Sequence, residues 1–377
     1  MDKYEYLWVS IRNNMLPGDI SCAGSEEFSY EEIMSMNEKG LMEKCLLTKK
    51  QAEYIMSTKS KVDVDSIFDI FLSSGASSVT LKDENYPKRL RYIQNRPYAL
   101  IYYGDLPVSD RSVSIIGSRS CSEYGRFMAE ELASDISTKG IDVISGMAYG
   151  IDGIAQAAAL KSGGNTYGVL GCGVNICYPR ANKSLYEMLK KRGGLISEYA
   201  ISSPAKPDNF PYRNRIISGL SDIVIVVEAK IKSGTFITVD YALSEGKEVM
   251  VVPGRVTDSL SVGCNALILQ GAHPVQSVDD VLRVFDSINT GDFEAKEPFT
   301  DFRTSQLKDY VPKHSEKILL EREENMVYSV LDFYSLSPED ISNALNMDIF
   351  KIMNILVSLE MKGIIKETGK NMYVKCR

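Results

Sequence analysis

Five short stretches of the chain combine glycine, hydroxyl and cationic residues in a pattern suited to holding phosphate. The first is Gly117-Ser118-Arg119-Ser120-Cys121-Ser122, lying between an apolar run and an amphipathic segment. A helix start offers free N–H groups and a dipole that favour an anion, and Arg119 adds a planar fork suited to phosphate. A serine-capped turn with a solvated arginine reads the same way. The second stretch, Ser145 to Gly153, sets Gly146 and Gly150 around a turn and places Asp152 at a helix start, where a carboxylate complements the dipole. The third runs from Gly171-Cys172-Gly173 to Tyr178-Pro179-Arg180-Ala181-Asn182-Lys183. The fourth, Asn209-Phe210-Pro211-Tyr212-Arg213-Asn214-Arg215, repeats that mixture more densely. Aromatics interleaved with cations give bases a stacking surface and phosphates a partner. A helix start with an incidental charge run is the plainer reading. The fifth, Ser233-Gly234-Thr235, has Lys230 and Lys232 beside it and opens another helix.

The groups that chemistry would need besides phosphate holders are missing. No Gly-x-Gly-x-x-Gly occurs, Ile176 standing where the third glycine belongs, and no P-loop signature occurs either. The two histidines, His273 and His314, neighbour no nucleophile. Cys172 and Cys177 lack a second pair at ligand spacing, so zinc is not expected and buried thiols are the default; no metal or cofactor is assigned. Without an acid–base pair, the loops point to binding and no catalytic residue is assigned. The rival is a nucleotide-binding hydrolase of the lysine-decarboxylase-like phosphoribohydrolase type. Its Gly-Thr-x-x-Glu turn corresponds here to Gly234-Thr235-Phe236-Ile237-Thr238, with threonine in the carboxylate's place.

The elements that must position these loops alternate regularly. Strands are expected at Val113–Gly117, Ile141–Ser145, Thr166–Leu170, Gly194–Glu198, Asp222–Glu228 and Glu248–Val252. Helices are expected between them at Glu123–Thr138, Ile151–Lys161, Asn182–Lys191, Asn209–Leu220 and Thr235–Ser244, with a short one at Asn265–Gln270. Continuously apolar strands alternating with helices predict an α/β fold, a Rossmann-like, doubly wound, mostly parallel sheet over 81–288. Of 27 glycines, 19 fall between Arg111 and Val275, where the turns must be tight. Residues 1–80 read as a small helical accessory domain (helices Tyr30–Met36, Thr48–Met56 and Val64–Ser73), and 81–110 as an extended lead-in. A charged stretch over 289–316 reads as a linker. Over 317–377, helices Asn325–Phe333, Pro338–Leu345 and Asp348–Lys362 precede a hairpin around Thr368-Gly369-Lys370-Asn371, the order of a winged-helix-like domain. Helix Asp348–Lys362 is mostly apolar and lacks the cations and amides of a groove reader.

The net charge of −7 does not exclude a polyanion, because between Arg111 and Val275 there are 17 Lys and Arg against 15 Asp and Glu. A local basic site is therefore compatible with acidic flanks. The longest aliphatic run, Ile223–Val227, is far short of the roughly 20 apolar residues that cross a bilayer. Acids at the N-terminus argue against a signal peptide, and seven scattered cysteines fit a reducing compartment. The expectation is a cytoplasmic protein without membrane insertion.

Taken together, the loops resemble the DNA-processing protein DprA (Smf) family of bacteria. The matching stretches include Gly117-Ser118-Arg119 with Tyr124-Gly125, Ser145–Asp152, Gly171-x-Gly173 through Asn182, and Ser197-Glu198. Phe210-Pro211-x-Arg213-Asn214-Arg215, Ser233-Gly234-Thr235, Val252-Pro253-Gly254 and Gly263-Cys264-Asn265 follow in the family's order. The chain departs at Asn175, where the family usually has aspartate. The resemblance implies a single-stranded DNA-binding protein of natural transformation that protects incoming strands, loads the RecA recombinase and forms a homodimer. It would grip phosphates with Arg119, Arg180, Arg213 and Arg215. Gly117, Ser118, Ser233, Gly234 and Thr235 would supply donors, Phe210 or Lys183 would flank a base, Gly146 and Gly150 would shape the wall, and Asn182 and Asn214 would complete the site.

Overall fold

The computed structural model describes residues 1–12, 29–45, 47–107, 109–290, 320–331, 335–369 and 371–375. The chain divides into two compact units, Met1–Asp309 and Tyr310–Arg377. The body of the expected linker, 291–316, lies outside the described residues, as do Phe333 and Lys370.

The first unit opens with five helices: α1 Lys3–Arg12, α2 Tyr30–Ser35, α3 Glu38–Lys44, α4 Lys49–Lys59 and α5 Val64–Ser73. Strands β1 Ser77–Thr80 and β2 Ala99–Gly104 follow. The alternating part then runs β3 Ser112–Ile116, α6 Glu123–Thr138, β4 Asp142–Ser145, α7 Ile151–Lys161, β5 Thr166–Val169, α8 Lys183–Leu189, β6 Gly194–Ser197, α9 Asn209–Gly219, β7 Ile223–Val226, α10 Thr235–Ser244 and β8 Glu248–Val251. Helix α11 Val262–Leu269, the two-residue β9 His273–Pro274 and α12 Val278–Thr290 complete it. Among the described residues of this unit, nine strands form one sheet in the order β1-β2-β6-β5-β4-β3-β7-β8-β9. From β6 to β9 every pairing is parallel, whereas β1–β2 and β2–β6 are antiparallel.

Side-chain alternation explains why the middle strands are apolar throughout. Ile223 and Ile225 of β7 pack with Leu132 and Ile136 of α6, Ala155 of α7 and Phe285 of α12 on one face. Val224 and Val226 pack with Ile216 of α9, Val239 of α10 and Leu267 of α11 on the other. Both faces are covered, so neither set of positions tolerates a charge. Two serines on β3 fasten α9 to the sheet: Ser112 Oγ donates to the Leu220 carbonyl at 2.7 Å and Ser114 Oγ to that of Ile217 at 2.9 Å.

The expected lead-in is not merely extended. Residues 99–104 form a strand that pairs with β6, and Ser77–Thr80 pairs with it in turn, so the expected boundary at residue 80 falls inside a hairpin. Helices α1, α3 and α12 were also unforeseen. In α1, Tyr6, Leu7, Trp8, Val9 and Ile11 are all buried, which hides the helical period. These N-terminal helices share a core with the sheet. Tyr6 stacks on Phe71 at 4.8 Å and Tyr30 meets Tyr98 at 4.9 Å, while Tyr98 and Ile101 belong to the same apolar cluster. The Tyr6 hydroxyl accepts the Ile201 N–H at 3.0 Å, and the Tyr98 hydroxyl donates to Glu5 at 2.7 Å.

The second unit contains α13 Arg322–Val330, α14 Pro338–Leu345, α15 Ile349–Met361 and the hairpin β10 Ile365–Gly369 and β11 Met372–Lys375. Its core is Val327, Ile341, Ile352, Leu356, Leu359, Ile365 and Tyr373. Backbone bonds between Leu336 and Tyr373 tie the entry to α14 onto the hairpin. Phe350, Val357 and Met361 stand exposed on α15 among the exposed Lys351, Asn354 and Glu360, so the solvent face of that helix is mixed. Among the described residues, no helix is long and apolar enough to cross a membrane.

Candidate nucleic-acid interface

After β3 the chain builds β4, β5 and β6 to one side, then crosses to lay β7, β8 and β9 on the other. The crevice at such a crossing, beyond the carboxyl ends of the strands, is where open α/β sheets bind ligands. Here it lies between the loops that follow β3 and β7. A basin of about 530 Å³ occupies it, lined by Gly117, Ser118, Arg119, Asp152, Phe210, Arg213, Asn214, Lys230, Lys232, Ser233, Gly234 and Thr235 among others. Gly117 is required by close approach, since a Cβ there would lie 2.8 Å from the Ile151 side chain and 3.0 Å from the Glu228 carbonyl.

The exposed cations of the basin are Arg119, Lys230 and Lys232. The two lysines stood beside the fifth stretch in the sequence and were not assigned to the site. Their position directly after the most apolar strand was the available signal, because such a loop must open at the strand's carboxyl end. At the start of α10 the Ser233 hydroxyl accepts the Thr235 N–H at 3.2 Å, and nothing lies within 4 Å of a Cβ built at Gly234. This helix start faces open space beside two lysines.

The start of α6 differs from expectation. Ser122 caps it, with Ser122 Oγ accepting the Gly125 N–H at 3.0 Å. Ser122 itself donates from N–H to Glu228 at 2.9 Å, and its hydroxyl also donates to Glu228. Burial pushes the Glu228 carboxyl upward while the Ser122 bonds pull it down. The place read as an open anion cradle already holds a carboxylate. Asp152, in the first turn of α7, instead turns back to the loop after β4 and accepts the Gly146 N–H at 3.0 Å. A Cβ at Gly146 would lie 2.7 Å from both Asp152 and Arg213.

The four arginines separate. Arg119 and Arg180 are exposed, but only Arg119 lines the basin. Arg213 is 4% exposed and donates to the carbonyls of Gly146, at 2.8 Å, and Val169; it forms the floor beside Asp152. Burial lowers its pKa to about 10, opposed by Asp152. Arg215 has no exposure, donates to Glu198 at 2.6 Å and lies 3.9 Å over the Tyr212 ring. The fold uses it to join α9 to the end of β6, and the phosphate contact expected of it has no access in this arrangement.

Phe210 lines the basin and packs on the exposed Tyr178, ring centroids 5.2 Å apart and planes tilted by 32°. Asn214 lines the basin and its carbonyl accepts from Arg213 Nε at 3.2 Å. Asn182 is a brace: its amide donates to the Met147 and Ala148 carbonyls at 2.9 and 3.0 Å. Lys183 is exposed and outside the basin. Gly150 sits at φ 71°, and a Cβ there would collide with the Ser118 carbonyl, so it lets the second loop pass under the Arg119 loop. Asn175, at the family's aspartate position, accepts the Ser202 N–H at 2.8 Å and donates to its hydroxyl at 3.1 Å, so the loop is tied by the amide. A second groove, about 1090 Å³, lies along α6, α7 and α8 and shares Arg119 and Ser120 with the basin; Tyr149 lines it, half exposed. Among the described residues, no group of three or more His, Cys, Asp and Glu is placed to hold a metal.

Residues 77–286, from β1 into α12, match the family model described as DNA recombination-mediator protein A. DNA processing protein DprA of Streptococcus pneumoniae is 40% identical over 210 residues, 55% of this chain and 74% of that protein. The Bacillus subtilis DprA is 37% identical over 231 residues, 61% of this chain and 77% of that protein. Among solved structures, the X-ray structure of the Streptococcus pneumoniae protein superposes with a TM-score of 0.65 at 31% identity, covering 75% of this chain and 98% of that one. A Helicobacter pylori DNA processing protein A, whose structure is described as revealing a single-stranded DNA binding mode, gives 0.51 at 28% identity, covering 58% and 97%.

Proposed function

The chain belongs to the DNA recombination-mediator protein A family, the DprA and Smf proteins, and from that premise we propose that it binds single-stranded DNA through the phosphate backbone. The observation that carries the reading is the basin at the strand crossing, where Arg119, Lys230 and Lys232 surround the open start of α10. Cations and main-chain donors bind every sequence alike, and Phe210 with Tyr178 stacks any base. Arg180 and Lys183 would meet a strand that leaves the basin. Protection of incoming strands in transformation, handover to the RecA recombinase, and self-association as a homodimer are proposed on the family resemblance.

The rival hydrolase needs a carboxylate at the scissile bond. Asp152, the one carboxylate among the described residues lining the basin, is committed to Gly146 and Arg213, and Thr238 is buried. These observations favour holding over cleaving. Release of free base from a nucleoside monophosphate would revive the enzyme.

A salt titration of oligo-dT binding tests the proposal. Log affinity falls with log salt by about 0.7 per phosphate contact on single strands. Arg119→Ala is expected to weaken binding and flatten the slope by about that amount, with duplex DNA bound less well than the single strand. An unchanged slope moves the site elsewhere.

A further inference from the structure

Glu228 is a buried carboxylate beside the strand crossing that the DNA reading does not employ. It lies two residues beyond β7 and is 1% exposed. Its carboxylate accepts the Ser122 N–H at 2.9 Å and the Ser122 hydroxyl, while Ser122 caps a 16-residue helix. A Cβ at Gly125 would collide with the carboxylate, so the first turn of α6 is hollowed to admit it. Among the described residues, the charge acting on it is that of Asp258, a like charge, and its direct partners are the two Ser122 groups. A carboxylate buried without a cation costs several kcal/mol unless fixed donors replace its water. Those donors are supplied here by a helix start at the first strand–helix turn, where doubly wound folds commonly hold a nucleotide phosphate.

We propose that Glu228 is a specificity-determining residue that fills the α6 anion position from within, excluding free phosphate and mononucleotides from the basin. Phosphate is then held only along α10 and the rim of Arg119, Lys230 and Lys232. Those dispersed contacts favour a continuous strand, which engages several at once, over a single phosphate. The inference rests on the single-stranded DNA reading and adds what the site rejects.

The test compares the wild-type chain with Glu228→Ala and Glu228→Gln, titrated calorimetrically with inorganic phosphate and with thymidine 5′-monophosphate against chloride of equal ionic strength. Glu228→Ala vacates the position, and its phosphate affinity should rise about tenfold or more, equivalent to about 1.4 kcal/mol, within the range of a hydrogen bond to a charged group. Glu228→Gln keeps the volume filled and should gain nothing. If Glu228→Ala melts without cooperativity, Glu228→Ser replaces it, read as a rise in melting midpoint with phosphate beyond that with chloride. Equal phosphate responses of wild type and the small variants overturn the inference, as does a wild type that binds the mononucleotide as tightly as Glu228→Ala. Failure of the wild type to bind oligo-dT sinks the DNA reading instead, and is scored separately.

Discussion

Arg215 donates to Glu198 from a position with no solvent exposure, so replacing it leaves a buried carboxylate without its cation. Arg215→Met is expected to cost about 3–5 kcal/mol in urea denaturation. Arg119→Ala, at an exposed position, should leave the same curve within about 0.5 kcal/mol of wild type and act on DNA affinity alone. The two arginines thus separate by measurement as they do in space. Residue type and loop membership were readable in the sequence for both. Burial was not, because it depends on acids supplied by other segments: Asp152 for Arg213 and Glu198 for Arg215. Asn182 shows the same gap. An amide among cations reads as a ligand for nucleic acid, whereas its donors are taken up by the Met147 and Ala148 carbonyls.

Helix α9 carries Phe210, Arg213, Asn214 and Arg215, and its far end is closed from outside. Lys247 Nζ donates to the carbonyls of Ser218 at 2.8 Å, Gly219 at 2.9 Å and Ser221 at 2.6 Å. A cation on the last carbonyls of a helix satisfies acceptors that the helix leaves unpaired. Lys247→Met should therefore cost about 1–3 kcal/mol, seen as a lower denaturation midpoint at unchanged slope. The turn into α7 is set by Gly150, where alanine meets both a left-handed backbone and the Ser118 carbonyl. The left-handed conformation alone costs a non-glycine residue about 1–2 kcal/mol, and relief of the collision must move the Arg119 loop. Gly150→Ala should accordingly weaken oligo-dT binding more than its loss of stability explains, a comparison of affinity with melting on the same protein. The strands on which these loops depend were legible, because burial on both faces leaves an uninterrupted aliphatic run. Strands β1 and β2 were not. Ser77–Thr80 is short with three hydroxyl residues of four, and nothing local tells a lead-in from β2, a strand whose partner β6 lies some 90 residues downstream.

Across the whole molecule, a chain of net charge −7 presents its basin cations where two loops converge, so attraction for a polyanion is local. The acidic remainder limits adhesion elsewhere. The doubly wound sheet was the most readable feature of the sequence, and the N-terminal segment the least. Its helices contribute Tyr6, Trp8, Tyr30 and Phe71 to a cluster completed by Tyr98, just before β2, and Ala99 and Ile101 of β2. A chain begun at residue 81, where the sequence alone suggested a cut, would lose β1 as well as those rings. Strand β2 would become a bare, aromatic-rich margin with unpaired amides, the kind of edge along which sheets recruit one another. Such a truncation should precipitate or sediment as large species where the full chain does not. The amino-terminal helices insulate the apolar face they share with β2, so trimming them would mistake insulation for an appendage.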